Sequence, residues 1–389
     1  MFSNLSISLT KCISQNDKKQ NGIYFTNNII ISKAFNELKN FEIIDILEPS
    51  CGSCEFINYI DNKLSNVKID GIELNDIIYD EIKQLTFINE VNLINTNFIN
   101  YKFNKKYDLI VGNPPYFVIK KNLYKGYQEY ITGRPNIYTL FIEKSLLLLN
   151  DNGILCFVLP KNFLNCLYYN NLREYINKYY KIINIIDCSN DIYLETSQDT
   201  IILIIQNIKS KNDEFILNIS NYTIFNTKEN IILLKDLLKE STTLNKLKCS
   251  INIGTVVWNQ HKDKLTNDYN STRLIYNSDI IDNKLSMILY KNDKKKNYIN
   301  LNGNNKRILV INRGYGIGKY KFSYCIIDVD FNYLIENHLI ILSNDNFEIY
   351  NTIIKSFENE KTKKFIELYF GNNSINSVEL LNILPIYRV

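Results

Sequence analysis

Between residues 43 and 206 short apolar runs alternate with stretches of helical periodicity, and this rhythm restricts the chain more than any other feature. Strand-like runs occur at Ile43 to Leu47, Lys68 to Leu74, Val91 to Asn95, Tyr107 to Gly112, Ile154 to Leu159, Ile182 to Asp187 and Thr200 to Gln206. Helical patterns fill Ser53 to Leu64, Asp76 to Phe87, Ile137 to Leu149 and Phe163 to Tyr180. Such alternation argues for an α/β domain built on a parallel sheet with right-handed crossovers, doubly wound and seven-stranded. The first twenty residues are polar and read as a loosely held arm, after which Thr26 or Asn27 is placed to cap a helix. Lys209 to Asp213 is the first seam. Beyond it the strands shorten and basic polar stretches such as Lys291 to Asn297 appear. The expected division is a domain over residues 1–235 and a smaller α+β domain over 236–389.

With 389 residues, each of two domains can enclose its own core. A hydrophobic content of 45% against 22% charged excludes a disordered chain. The net charge of +4 permits a nucleic-acid partner without requiring one. Eight cysteines scattered through apolar runs suit reduced thiols, and only Cys51 and Cys54 have the spacing of a pair. With two histidines in the chain and no second such pair, no zinc site is expected. No secretory signal is read at Met1 to Asn4, and no run reaches the ~18 apolar residues of a membrane helix. The expectation is a soluble, cytoplasmic protein with no membrane association.

Chemistry concentrates after the strand Tyr107 to Gly112, at Asn113-Pro114-Pro115-Tyr116. Two prolines remove two backbone donors and bias Asn113 away from the helical region. The result is a stiff loop at the carboxyl end of a strand, where open α/β sheets place their ligands. An amide, unclaimed carbonyls and an aromatic face suit a flat ring bearing an exocyclic amine; a proline turn with Tyr116 packing locally is the plainer reading. The first strand ends in Glu48-Pro49-Ser50-Cys51-Gly52, whose small residues let the backbone approach a ligand. The dinucleotide fingerprint and the phosphate-cradling P-loop are both missing there. Glu73 follows Gly52 by about twenty residues, the usual place for a partner of ribose hydroxyls. At Asn97-Phe98 an aromatic ring and an amide could meet an adenine.

Taken together, Gly22-Ile23-Tyr24-Phe25-Thr26, Glu48 to Gly52, Glu73, Asn97-Phe98 and Asn113 to Tyr116 resemble the gamma-class (Taq-type) site-specific DNA adenine-N6 methyltransferases. The likeness continues through Asn136 to Phe141, Glu143-Lys144, Gly153 and Leu159-Pro160, and more softly through Ile308 to Gly314 and Glu336 to His338. It implies the class I methyltransferase Rossmann-like fold with a C-terminal target-recognition domain. The implied cofactor is S-adenosylmethionine and the implied substrate double-stranded DNA, acted on by a monomer. A cognate restriction endonuclease is implied as a functional rather than a physical partner. Tyr24, Thr26 and Glu48, Pro49, Ser50, Cys51 and Gly52 would contact the methionine part, Glu73 the ribose, and Asn97 and Phe98 the cofactor adenine. Asn113, Pro114, Pro115 and Tyr116 would grip the target base, and Asn113 would also face the cofactor. The chain departs from the family with Asn97 where Asp is usual. It also has Asn27 where Pro commonly follows Thr, which leaves the helix start looser. A second base-stacking aromatic is replaced, by register, with Ile205.

Asn113 Oδ1 and the Pro114 carbonyl accepting both amine hydrogens would localise the nitrogen lone pair, a form of electrostatic preorganisation that needs no metal. Rival readings keep the clamp but take RNA adenine or protein glutamine, or keep the fold as a silent DNA-binding module. In the second domain, Gly254 to Lys262 brings Trp258, Asn259, Gln260 and Lys262 as candidate DNA contacts. Arg313 to Lys319 is a flexible basic loop able to follow a backbone, with Arg313 and Lys319 as its cations. A solvated loop with Trp258 in a local core is the plainer alternative. The lysines at 294–296 read as a solvated turn, and His338 as a structural hydrogen-bonder.

Overall fold

The computed structural model describes residues 2–119, 130, 133, 135–189, 191, 199–290, 295–313, 321–370 and 375–387. It divides into two compact units, Met1–Ile231 and Ile232–Val389, and the division falls inside the helix Lys228–Leu237.

The first unit opens with two short helices, α1 (Asn4–Cys12) and α2 (Gln15–Asn21), where the sequence reads as a loose arm. The arm is corrected to an ordered hairpin because Leu9 and Ile13 are buried and the Ser3 and Ser14 side chains cap the two helices. Helix α3 (Asn28–Leu38) begins at Asn27, whose side chain accepts from the Ile30 N–H at 3.0 Å, so this helix start is capped rather than loose. Then follow β1 (Asp45–Glu48), α4 (Glu55–Asp61), β2 (Lys68–Glu73), α5 (Asp76–Ile82), β3 (Glu90–Asn95) and β4 (Tyr107–Gly112). Helix α6 (Ile137–Leu147), β5 (Leu149–Pro160), α7 (Asn170–Tyr179), β6 (Lys181–Asp187) and β7 (Thr200–Gln206) complete the sheet. The single long helix expected from Phe163 is two 3-10 turns before α7.

Among the described residues the sheet has seven strands in the order β3-β2-β1-β4-β5-β7-β6. Strands β1 to β5 are parallel, but β7 runs antiparallel to both β5 and β6, so the wholly parallel expectation is corrected at one edge. This is the class I methyltransferase fold. The apolar runs are continuous because both faces are covered. Leu109, Val111, Cys156, Val158, Ile202 and Ile204 face α3, α4 and α5, while Ile110, Leu155, Phe157, Ile201 and Leu203 face α6 and α7. Ile205 belongs to this second face; it is fully buried and pairs with Leu155 and Ile182. It therefore walls no open pocket, and counting register from sequence misplaced it. A hairpin of β8 (Ile216–Ile219) and β9 (Tyr222–Phe225) follows. It is tied down by the buried Arg173, whose Nε donates to the Thr223 carbonyl at 2.6 Å and whose Nη1 donates to those of Phe163 and Cys166 at 2.9 Å.

Among the described residues the second unit carries two four-stranded sheets. One runs Ser250–Ile253, Leu339–Ser343, Ile308–Asn312 and Tyr324–Ile327, antiparallel throughout. The other contains Leu265–Thr266, Tyr298–Ile299, Thr272–Ile275 and Tyr333–Ile335, the last two parallel. Helices Glu348–Glu358, Glu360–Tyr369 and Ser377–Asn382 close the unit. No helix among the described residues is long and apolar enough to cross a membrane.

Candidate active site

β1 is hydrogen-bonded to β2 on one side and β4 on the other, so the strand order reverses around it. Reversal sends the following helices to opposite faces and opens a crevice beyond the carboxyl ends of β1 and β4. After β1 the chain turns through Pro49-Ser50-Cys51-Gly52, with Gly52 at φ +51° and Cys54 at φ 61° leading into α4. The Cys51 N–H donates to the Ile72 carbonyl at 2.8 Å, which pins the turn to β2. Gly52 donates its N–H to Glu73 Oε2 at 2.9 Å, and Asn75 donates to Oε1 at 2.7 Å. Two amides thus hold the carboxylate at the end of β2. Burial raises the pKa of Glu73, and the N–H donors oppose that rise. Glu48, deeper and beside Gly112, is pushed up further by burial and then by the neighbouring Cys54; its Oε2 is buried with no hydrogen-bond partner among the described residues.

Beyond β3 the Asn97 side chain accepts from the Ile99 N–H at 2.9 Å, and the Asn97 carbonyl accepts from Asn100 and Tyr101. This turn presents Phe98, whose ring lies 4.8 Å from that of Phe141. Beyond β4, Asn113 is held at three atoms. Its Nδ2 donates to the Tyr24 carbonyl at 3.1 Å, its backbone carbonyl accepts from Ser50 Oγ at 3.3 Å, and its Oδ1 accepts from the Tyr116 hydroxyl. That hydroxyl also reaches the Val158 carbonyl at 2.8 Å, and the Tyr116 ring meets Tyr138 edge-on at 5.9 Å. Gly22, at φ +64°, lies against the same loop: a Cβ there would sit 2.5 Å from the Tyr116 nitrogen.

These strand ends enclose one cavity of about 520 Å³, within the ordinary range for a small-molecule site. Of the residues singled out in the sequence, Tyr24, Pro49, Ser50, Gly52, Glu73, Asn97, Phe98, Asn113 and Pro115 line it. Thr26, Glu48, Cys51, Pro114 and Tyr116 do not; Thr26, Glu48 and Cys51 are buried behind the wall. Sequence reading missed Asn75 and Asp76, which directly follow Glu73, and the apolar wall of Ile99, Phe117, Leu140 and Phe141. Adjacency to Glu73 was a usable signal for the first pair. The wall residues look like any core positions until the helix is docked.

In the second unit Trp258 packs on Val256, Leu274, Tyr276 and Ile299, the local core of the plainer reading. Asn259, Gln260 and Lys262 are exposed on the adjoining 3-10 turns. Arg313 donates Nη1 to the Asn337 carbonyl at 3.4 Å, while Gly314 to Lys319 lie outside the described residues. Lys295 is corrected from a solvated lysine: its ammonium lies 4.0 Å from the Tyr276 ring centre and 4.5 Å from that of Tyr290. His338 Nδ1 hydrogen-bonds Glu336 Oε1 at 2.9 Å.

The crevice and its turn define a class I methyltransferase, for which S-adenosylmethionine is the cofactor. Residues 5–193 match the model of the Eco57I restriction-modification methylase family. The whole chain is 27% identical to the type II methyltransferase M.CvrRI of Paramecium bursaria Chlorella virus XZ-6E, covering 100% of this chain and 99% of that one. It is 32% identical to the modification methylase CviBIII of Paramecium bursaria Chlorella virus NC1A, over 45% of this chain and 47% of that one. Among solved structures, the M protein of the type I restriction enzyme EcoKI aligns with a TM-score of 0.39 at 17% identity, over 51% of this chain and 48% of that one. The cavity fits the cofactor: a turn of small residues around Gly52, a buried carboxylate at the end of β2 able to accept from hydroxyls, and an aromatic and aliphatic wall for a flat ring.

Proposed function

We propose that this protein methylates the N6 amine of an adenine flipped out of duplex DNA at a specific sequence, using S-adenosylmethionine. The observation that carries the reading is that Asn113 lines the same cavity as the Gly52 turn and Glu73, so an amine acceptor and a cofactor cradle share one space. Kinship with restriction-modification methylases supports DNA as the acceptor. Bound S-adenosylmethionine supplies an activated methyl group on a sulfonium.

The chain supplies position and polarity. Because Asn113 Nδ2 is spent on the Tyr24 carbonyl, Oδ1 is the atom left to accept from a substrate amine. The Tyr116 hydroxyl has two acceptors, Asn113 Oδ1 and the Val158 carbonyl, and one hydrogen to share between them. Giving that hydrogen wholly to Val158 frees Oδ1, and the Pro114 carbonyl takes the second amine hydrogen. Two acceptors draw the nitrogen lone pair out of conjugation, and the proton leaves to solvent after transfer. Flipping costs a few kcal/mol, which stacking on Tyr116 offsets by ~1–3 kcal/mol.

At the cofactor, Glu73 accepts from the ribose hydroxyls, and Asn97, whose oxygen has a second lone pair, accepts from the adenine amine. Tyr24, Pro49, Ser50 and Gly52 surround the methionine part; Thr26, Glu48 and Cys51 shape that wall from behind. Asn259, Gln260 and Lys262 contact the duplex.

Incubation with tritiated cofactor and plasmid DNA, RNA or protein lysate tests the reading. Label should enter DNA and be recovered as N6-methyladenine. Asn113→Ala should bind cofactor within a few-fold yet transfer methyl at least ~100-fold more slowly, the scale of losing one aligned polar group. Label recovered in RNA or in glutamine would overturn the assignment.

A further inference from the structure

Lys144, on α6, does not line the cavity and has no carboxylate partner among the described residues. Its ammonium donates instead to three backbone carbonyls of one turn: Phe98 at 2.6 Å, Ile99 at 3.0 Å and Tyr101 at 2.6 Å. The same nitrogen lies 5.0 Å from the ring centre of Phe98 and 5.3 Å from that of Phe103. An ammonium carries three donors and no acceptor, so this turn takes up its whole hydrogen-bonding capacity.

Three carbonyl oxygens converging on one point repel one another, and a turn that gathers them needs a cation at the focus. The opposite side of this turn is cavity wall: Thr96, Asn97, Phe98, Ile99 and Asn100 all line it. Leu140 and Phe141 line it as well, one helical turn before Lys144 on α6. One side chain therefore fastens the loop wall to the helix wall from behind. Its location agrees with the cost of placing it there, since burial lowers the Lys144 pKa with no opposing carboxylate.

We propose that Lys144 is a positioning residue for the cofactor, setting the shape of the pocket that receives the adenine ring. This rests on the assignment of the cavity to S-adenosylmethionine. Lys144 touches neither substrate nor reacting atoms, so its influence falls on cofactor affinity and not on the transfer step.

The test is Lys144→Met in the full chain, which keeps length and apolar stem but removes charge and donors, beside Lys144→Arg, which keeps both. Cofactor affinity is read as the Kd for S-adenosylhomocysteine by calorimetry, and transfer as kcat at saturating S-adenosylmethionine. Lys144→Met should raise Kd and the cofactor KM about tenfold or more, the scale of losing a charged hydrogen-bond donor, with kcat within about threefold of wild type. Lys144→Arg should recover most of the affinity. Unchanged Kd in Lys144→Met, or a fall in kcat with KM unchanged, overturns the proposal. If Lys144→Met does not fold, Lys144→Arg and Lys144→Gln carry the test: affinity must follow the order Lys, Arg, Gln, and equal affinities overturn it. Wild-type protein that binds no S-adenosylhomocysteine would sink the cavity assignment itself, an outcome distinct from any result with the variants.

Discussion

Asn113 shows how one residue acquires a direction. An isolated asparagine offers a donor and an acceptor that can exchange places by rotation; the Tyr24 carbonyl accepts only, so it selects Nδ2 and leaves Oδ1, which meets the Tyr116 hydroxyl, as the acceptor that the proposed reaction uses. Glu73 is directed in the same way by donors only, the Gly52 and Asn75 amides. Its burial has a consequence for pH. Burial raises the folded-state pKa above the ordinary 4.5, so the group favours folding below its unfolded pKa, and that contribution is lost as pH rises through the folded value. In the proposed ribose role cofactor binding has the opposite sign, because hydroxyls would donate to the ionised form. Affinity for S-adenosylhomocysteine should therefore be full at neutral pH and fall on acidification through a point above 4.5. Glu73→Gln should bind about tenfold more weakly at neutral pH and show none of this dependence. Calorimetry across a pH series measures both; an unaltered pH profile in the variant would count against the ribose role.

Among the elements, the N-terminal hairpin reaches the site through contacts at both its ends. Glu55 in the first turn of α4 accepts from the Ser3 N–H at 3.1 Å and from Ser3 Oγ at 2.7 Å, and Ser6 Oγ meets Ser53 Oγ at 2.7 Å. Helix α1 is thereby fixed to the residues that follow the Gly52 turn. From α2 the chain passes through Gly22 and Tyr24, which meet the Asn113 to Tyr116 loop. One hairpin bears on both halves of the proposed active site. Gly22→Ala tests this, because the backbone is left-handed and the added methyl would meet the Tyr116 nitrogen. The variant should lose about 1–3 kcal/mol of stability and most of its methyl transfer, read by thermal unfolding and by the tritium assay. The hairpin's role was hidden in sequence because its polar residues form caps and a buried serine–glutamate cluster. Polar residues in such clusters read as solvated until their partners, some fifty positions away, are in place.

For the molecule as a whole, every residue lining the cavity falls within the first unit. Residues 1–231 expressed alone should therefore bind S-adenosylhomocysteine within a few-fold of the full chain, yet methylate cognate DNA far more slowly, because the exposed Asn259, Gln260 and Lys262 would be gone. Equal DNA methylation by the two proteins would contradict the recognition role of the second unit. The amino-acid sequence by itself determined the strand runs, since β4 and β7 are continuous apolar stretches that only a doubly covered sheet accommodates. It also determined the loop chemistry after them, because two prolines and a glycine restrict the backbone locally. Tertiary structure alone decided the antiparallel course of β7, the burial of Ile205, the apolar cavity wall and the three carbonyls gathered around Lys144. Strand direction, depth and convergence depend on partners far apart in the chain, whereas an apolar run or a proline turn acts through its immediate neighbours.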